Sequence, residues 1–308
     1  MDAGAGGEEG GAEMAGLPAS VAGADGRPGI VAPAGSREAV AAALAAGADV
    51  VYVGLAGWSR GGSLAGLPAR DLPSCAAMVR GAGARLYLAL NVVPDLRALE
   101  VFWERLAGWV ALGVDGLILN DYGLLREVRW RYPGLGLTAS VGCGALNRED
   151  LLFLAAAGAD TVVLPPGIAP EEVAAVAGEG FGPAVEVFGR GIKEPFLPGR
   201  CWLAGYLRRV AVPREGRTLY PGSARRGGTC GRLCRAEWNW GGRAVGPLPE
   251  EEIAVYHRLA DYVAAGARYF KIQGRDLPPE RVRVLVEELR AGLERLDHSG
   301  AAYTGRHP

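Results

Sequence analysis

One phrase recurs along the chain: a small-residue turn with Gly at its centre, then an acidic or basic position, then a run of apolar residues. Ala46-Gly-Ala-Asp49 precedes Val50-Val-Tyr-Val53, and Leu112-Gly-Val-Asp115 precedes Gly116-Leu-Ile-Leu119. Ala157-Gly-Ala-Asp160 precedes Thr161-Val-Val-Leu164, and Ala265-Gly-Ala-Arg268 precedes Tyr269-Phe-Lys-Ile272. Each reads as a helix end, a Gly stop and a short strand. Gly supplies the left-handed C-cap, and a continuous rather than alternating apolar run fits a strand covered on both faces. Less regular strands at Ile30–Ala32, Arg85–Asn91, Leu135–Val141 and Val185–Gly189 bring the total to eight, each followed by helical periodicity. Eight alternating β and α units predict an α/β protein of the (β/α)8 TIM-type barrel class, spanning residues 30–296.

Outside that frame the chain changes character. Residues 1–29 are Gly, Ala and Glu with few large side chains, too little apolar surface to offset ordering entropy, and are expected to be disordered. Residues 297–308 are expected to form a flexible tail. Residues 190–246 break the alternation after the seventh strand, before a seventh helix predicted over Ile253 to Ala264. The formal charge of −1 conceals an asymmetry in this insertion. From Arg190 to Arg243 there are eleven Arg and one Lys against Glu194, Glu215 and Glu237, so the segment carries +9 and the remainder −10. Trp202, Tyr206, Tyr220, Trp238 and Trp240 are interleaved with the arginines. Such a mixture binds phosphate or carboxylate and stacks on planar rings, against the plainer alternative of a solvated Arg-rich loop.

With 49% hydrophobic and 22% charged residues the composition is that of a soluble protein. No run approaches the roughly 18 apolar residues that span a bilayer, so no membrane span is expected. Five cysteines, an odd number, with no apolar signal segment, point to the reducing cytoplasm rather than to a secreted disulfide scaffold.

Barrel enzymes work at the C-terminal ends of their strands, and the insertion leaves from that face. It gathers Cys201, Cys230 and Cys234. Cys230-Gly-Arg-Leu-Cys234 sets two thiols four residues apart, so one helical turn or a tight loop would direct both at one ion; Cys201 follows the kink-forming Pro198-Gly199-Arg200. Soft thiolates in threes and fours suit zinc or an iron–sulfur cluster. The plainer alternative, that these are small buried hydrophobes, fits poorly with polar neighbours. Cys143, just past the fifth strand, falls on the same rim as a candidate fourth thiol. Cys75, in Leu72-Pro-Ser-Cys-Ala-Ala-Met78, reads as packing in the first turn of an amphipathic helix. Asn91, Asn120, Asp121, Ser140, Lys271 and Arg275 are polar residues at other strand ends.

The stretch Glu186-Val-Phe188-Gly-Arg-Gly191-Ile-Lys-Glu194-Pro-Phe-Leu-Pro-Gly199-Arg-Cys201 resembles, in register, the signature of the collagenase-like peptidase family U32. Ile30-Val-Ala-Pro-Ala-Gly-Ser36-Arg-Glu38, Asp49-Val-Val-Tyr52-Val-Gly54 and Phe270-Lys-Ile-Gln-Gly-Arg275 also resemble family blocks, so the likeness covers most of Ile30 to Glu287. The resemblance implies one of two activities. Members are named peptidases, yet several are similar to one another as oxygen-independent hydroxylases. Those carry a 4Fe-4S cluster on four cysteines, act in ubiquinone biosynthesis or on RNA bases, and take their oxygen from a prephenate-like donor. Some work as hetero-oligomers with another family member. Cys201 matches one ligand position, and Cys230 and Cys234 match a later pair. Glu194 stands where the family has its first motif cysteine, so the fourth ligand is Glu194, Cys143, an exogenous molecule or none. Gly142 replaces a Gln, and Gln273 replaces an acidic residue.

Proteolysis by a Ser or Cys nucleophile usually needs a base, most often His. Only His257, His298 and His307 exist, none expected near a strand end. A peptidase would need a carboxylate base, Glu186 or Glu194, at a raised pKa. A hydroxylase-type enzyme uses what is present: three thiols for a cluster, Lys271, Arg275 and Arg200 to hold an anionic or aromatic substrate, and Asn91 to orient it. The third possibility is a structural zinc site on the same thiols, with the basic-aromatic surface binding RNA or a partner protein.

Overall fold

The computed structural model describes residues 27–55, 58–59, 66–94, 96–177, 182–193, 212–214, 217–219, 237–246 and 250–298. The barrel strands alternate with helices: β1 (Gly29–Ala34), α1 (Arg37–Ala45), β2 (Val50–Gly54), α2 (Leu72–Gly81), β3 (Arg85–Leu90), α3 (Leu96–Ala111), β4 (Gly116–Leu119), α4 (Tyr122–Arg131), β5 (Gly136–Ala139), α5 (Arg148–Ala156), β6 (Thr161–Val163), α6 (Pro170–Ala177) and β7 (Ala184–Lys193). Two short hairpins belong to the insertion, β8 (Val212–Arg214) with β9 (Arg217–Leu219), and β10 (Trp238–Trp240) with β11 (Arg243–Val245). Then follow β12 (Glu251–Ala254), α7 (Leu259–Ala264), β13 (Ala267–Ile272) and α8 (Pro279–His298). Strands β1 to β7 and β13 pair in parallel, β13 lies between β7 and β1, and the β6–β7 pairing closes the ring. The predicted eight-stranded (β/α)8 barrel is the observed fold.

The recurring phrase has a physical role at the N-terminal end of the barrel. Its glycines, Gly158 among them at φ 102°, take the left-handed conformation that ends the helix. The aspartate two residues on then reaches back to the start of the preceding strand. Asp49 Oδ2 accepts from Ile30 N at 2.6 Å, Asp115 Oδ2 from Leu86 N at 2.7 Å, and Asp160 Oδ2 from Leu137 N at 2.8 Å. Arg290 and Arg129 reinforce the first and third of these at 2.6 Å. The phrase is thus a clamp that stitches neighbouring βα units.

Strand residues divide by parity into two cores. One set, including Ile30, Val51, Leu88, Leu117, Leu137, Val162, Val187 and Phe270, packs outward under the helices, where Cys75 is also buried. The other, Val31, Val50, Tyr52, Tyr87, Ala89, Ile118 and Tyr269, fills the barrel interior. Interior glycines make room for the tyrosines: a Cβ on Gly136 would stand 2.2 Å from Tyr87 Oη, and one on Gly116 would stand 2.5 Å from its ring.

Four predicted boundaries differ in the structure. The seventh helix does not begin at Ile253. Glu251–Ala254 is instead a strand, antiparallel to the outer end of β7, with Glu251 opposite Lys193 and Ala254 opposite Arg190. Ion pairs Arg190–Glu252 at 2.7 Å and Lys193–Glu251 at 3.2 Å hold the register, and a 3-10 turn at Tyr256–Arg258, containing His257, separates this strand from α7. Residues 190–193, expected to open the insertion, therefore extend β7. The fifth strand ends at Ala139, and Val141–Cys143 form a 3-10 turn. At the far end α8 runs to His298, two residues into the predicted tail. Residues 1–26 and 299–308, and within the insertion Glu194, Arg200, Cys201, Cys230 and Cys234, lie outside the described residues.

Candidate functional site

A cleft of about 380 Å3, counted with its opening to solvent, lies at the C-terminal ends of the strands. Tyr52, Ala89, Asn91, Ile118, Ser140, Val141, Val163, Phe188, Lys271 and Gln273 line it. The lining follows from strand parity: inward positions on β2, β3, β4, β6 and β7 supply an apolar collar, β13 contributes Lys271, and other polar groups enter where strands end. Two of the expected site residues, Asn91 and Lys271, meet here. Asn91 is buried and its carbonyl accepts from Asn120 Nδ2 at 2.8 Å. Lys271 is 7% exposed, and its ammonium stands 4.5 Å from the centre of the Tyr52 ring, a cation–π distance. Tyr52 is fixed in turn by its hydroxyl, which donates to Ile272 O at 2.9 Å.

Glu186, expected as a catalytic carboxylate, does not line this cleft. It sits one layer deeper, 3% exposed, and accepts from Lys271 Nζ at 2.5 Å. Beneath the pair is a second cavity lined by Val31, Val50, Tyr87, Ile118, Thr138, Thr161, Glu186 and Tyr269. Burial pushes the Tyr87 phenol up to about 12 and raises that of Tyr269 further.

Arg275 also approaches the Tyr52 ring, 6.0 Å from its centre. Its approach depends on Gly54 and Gly35. A Cβ on Gly54 would lie 1.8 Å from Arg275 Nη1, and one on Gly35 would lie 1.9 Å from its carbonyl oxygen. Gln273 stands where the family resemblance implies an acidic group, and it serves the framework. Its Oε1 accepts from Ile192 N at 2.8 Å and ties β13 to the extension of β7. Asp121 caps α4 through Leu124 N at 2.9 Å.

Cys143 lies on the rim at the end of β5. Its buried thiol is directed at Leu119 O, 3.5 Å away, and Tyr122 Oη donates to its carbonyl at 2.7 Å. Among the described residues no group of three or more His, Cys, Asp or Glu is placed to hold a metal ion. The other candidate ligands, Cys201, Cys230, Cys234 and Glu194, fall outside those residues, as does Arg200. As a donor set, three thiolates match a cluster or zinc by chemical softness. His257 is not among the residues that line the cleft. No helix among the described residues is long and apolar enough to cross a membrane.

Sequence reasoning missed Tyr52, Tyr269 and the pairing of Lys271 with Glu186. Both tyrosines sit in continuous apolar runs, where nothing local tells inward from outward positions.

Comparison with known proteins adds the following. The family model described as peptidase family U32 matches residues 35–302. The chain is 28% identical over 213 residues to "tRNA hydroxylation protein P" of Escherichia coli (strain K12), covering 69% of this chain and 44% of that protein. It is 25% identical over 272 residues to "23S rRNA 5-hydroxycytidine C2501 synthase" of the same organism, covering 86% and 39%. It is 24% identical over 285 residues to "Collagenase" of Porphyromonas gingivalis (strain ATCC BAA-308 / W83), covering 86% and 65%. The chain thus spans less than half the length of the two RNA-modifying relatives and under two thirds of the third.

Proposed function

The chain belongs to peptidase family U32, and from that premise we propose that it is a hydroxylase-type member acting on an aromatic ring, with an RNA base as the favoured substrate. The observation that carries the proposal is the cleft itself. It combines an apolar collar, one ammonium, the amide of Asn91 and the Ser140 hydroxyl, the mixture that seats and orients a planar polar ring. Among the described residues that line the cleft there is no histidine to activate a Ser or Cys nucleophile, which disfavours the peptidase alternative. Similarity to relatives named for hydroxylating tRNA and rRNA supports RNA as partner.

The proposal extends to the parts on which the described residues are silent. Cys201, Cys230 and Cys234 would hold a 4Fe-4S cluster, with Cys143 or Glu194 as the candidate fourth ligand. Bound there, a cluster would supply electron transfer or a Lewis-acidic iron. A prephenate-like anion is proposed as oxygen donor, with Lys271, Arg275 and Arg200 as its counter-charges. Another family member is proposed as a partner chain, and the cytoplasm as the compartment.

The discriminating experiment is iron, sulfide and zinc analysis with a visible spectrum, on protein purified without oxygen. Brown protein with about four irons and four sulfides per chain, the content of a cubane cluster, supports the proposal. One zinc and no colour overturns it in favour of a structural zinc site, and no metal at all leaves the peptidase reading.

A further inference from the structure

We propose that Lys271 and Glu186 form the proton relay of this cleft, Lys271 as the group that meets the substrate and Glu186 as the positioning residue and proton store behind it. The inference rests on the hydroxylase reading above and deepens it. A salt bridge buried to 7% and 3% exposure adds little stability over packed apolar residues, so stability alone does not account for one at the centre of the barrel. Its placement does. Lys271 lines the substrate cleft, Glu186 lines the cavity below, and the Nζ–Oε1 hydrogen bond at 2.5 Å connects the two.

The lower cavity is the second observation. Tyr269, 3% exposed and directly opposite Glu186 in the β13–β7 register, has a hydroxyl with no hydrogen-bond partner among the described residues. Thr138 and Thr161 line the same space, and their hydroxyls are polar partners of the kind a buried water needs. A water in that position would give the Tyr269 hydroxyl a partner beside the Glu186 carboxylate. Other titratable groups around the pair are Tyr52, Tyr87, Arg85 and Arg275.

The step assigned to the relay is the restoration of the ring after an oxygen-atom donor has delivered its oxygen to a ring carbon. The C–H bond of that carbon breaks and its electron pair returns to the ring. Its proton passes to Lys271 Nζ as an Nζ proton passes to Glu186 Oε1. The new ring oxygen then takes a proton back from Lys271, and Glu186 returns its own, so the pair ends unchanged. No oxidant beyond the oxygen-atom donor is consumed.

The test adds purified protein to an extract of cells lacking the gene, which supplies RNA and the donor, and follows hydroxylated nucleosides by mass spectrometry. Wild-type protein should restore product. Glu186→Gln should lower the rate by about 10²–10⁴-fold, the usual range for general acid–base groups, and Glu186→Asp should recover most of it. Because Glu186→Gln strands a buried ammonium, the double variant E186Q/K271Q, which removes both charges, guards against misfolding. A cooperatively melting double variant with the same deep loss, beside a Glu186→Asp protein that recovers most of the rate, supports the relay. Product within about 10-fold of wild type from the double variant overturns it and leaves the pair structural. Absence of product with wild-type protein overturns the hydroxylase reading itself, and the relay with it.

Discussion

Replacing Asp160 by alanine tests whether the repeated Gly-x-Asp phrase is the clamp described above. Asp160 Oδ2 accepts from Leu137 N at 2.8 Å and from Arg129 Nη2 at 2.6 Å. Alanine leaves the Leu137 amide at the foot of β5 without its acceptor, a loss of about 1–3 kcal/mol for a buried donor left unpaired. The Arg129 contribution is smaller, since that guanidinium keeps the carbonyls of Gly158, Pro133 and Leu135. The sum is about 3 kcal/mol. At roughly 2–3 °C per kcal/mol for a domain of this size, melting should fall by about 6–9 °C. Asp115→Ala, which removes the Leu86 N contact at 2.7 Å, should cost about 2 kcal/mol by the same reasoning. Urea titration at neutral pH measures both, with unchanged slopes as the sign that only the native state is affected. A loss below about 1 kcal/mol for Asp160→Ala would refute the clamp and reduce the repeat to helix punctuation.

Other outcomes follow from the same structure. Gly54→Ala would place a Cβ 1.8 Å from Arg275 Nη1 and 2.8 Å from the Cβ of buried Ser59, so Arg275 should be driven off the Tyr52 ring, and substrate affinity should fall about 10-fold or more along with some stability; unchanged affinity would remove Arg275 from the site. Cys201→Ser or Cys230→Ser should abolish bound metal, whereas Cys75→Ser, on the buried face of α2, should leave it intact; equal losses in all three would sink the ligand assignment. Tyr87, its phenol held near 12 by burial, is more easily ionised unfolded than folded. Its contribution is therefore complete below pH 10 and is lost as pH rises toward 12, about 3 kcal/mol in all. Tyr87→Phe should flatten that alkaline decline, and an unaltered decline would assign it to other groups.

The barrel was legible because its repeat is local chemistry. A helix stop and a strand-tying aspartate lie close together in sequence, and the recurring copies mark the period. The return strand was not legible. Glu251-Glu-Ile-Ala254 carries helix-forming residues and no strand signal, and pairing with a partner some sixty positions earlier in sequence overrides that preference. In the site, Asn91 and Lys271 stood out as polar residues ending apolar runs. Tyr52 and Tyr269 did not, because a strand covered on both faces hides its parity. Glu186 was visible as a carboxylate in a strand, but only the register opposite Tyr269 and beside Lys271 places it below the cleft rather than at its rim.

The central claim is tested most directly by the nucleoside content of tRNA and rRNA from cells grown without oxygen, with and without the gene. The account predicts at least one hydroxylated nucleoside that is present with the gene, absent without it, and restored by the wild-type chain under strict anaerobiosis. Identical nucleoside profiles in the two strains would contradict it.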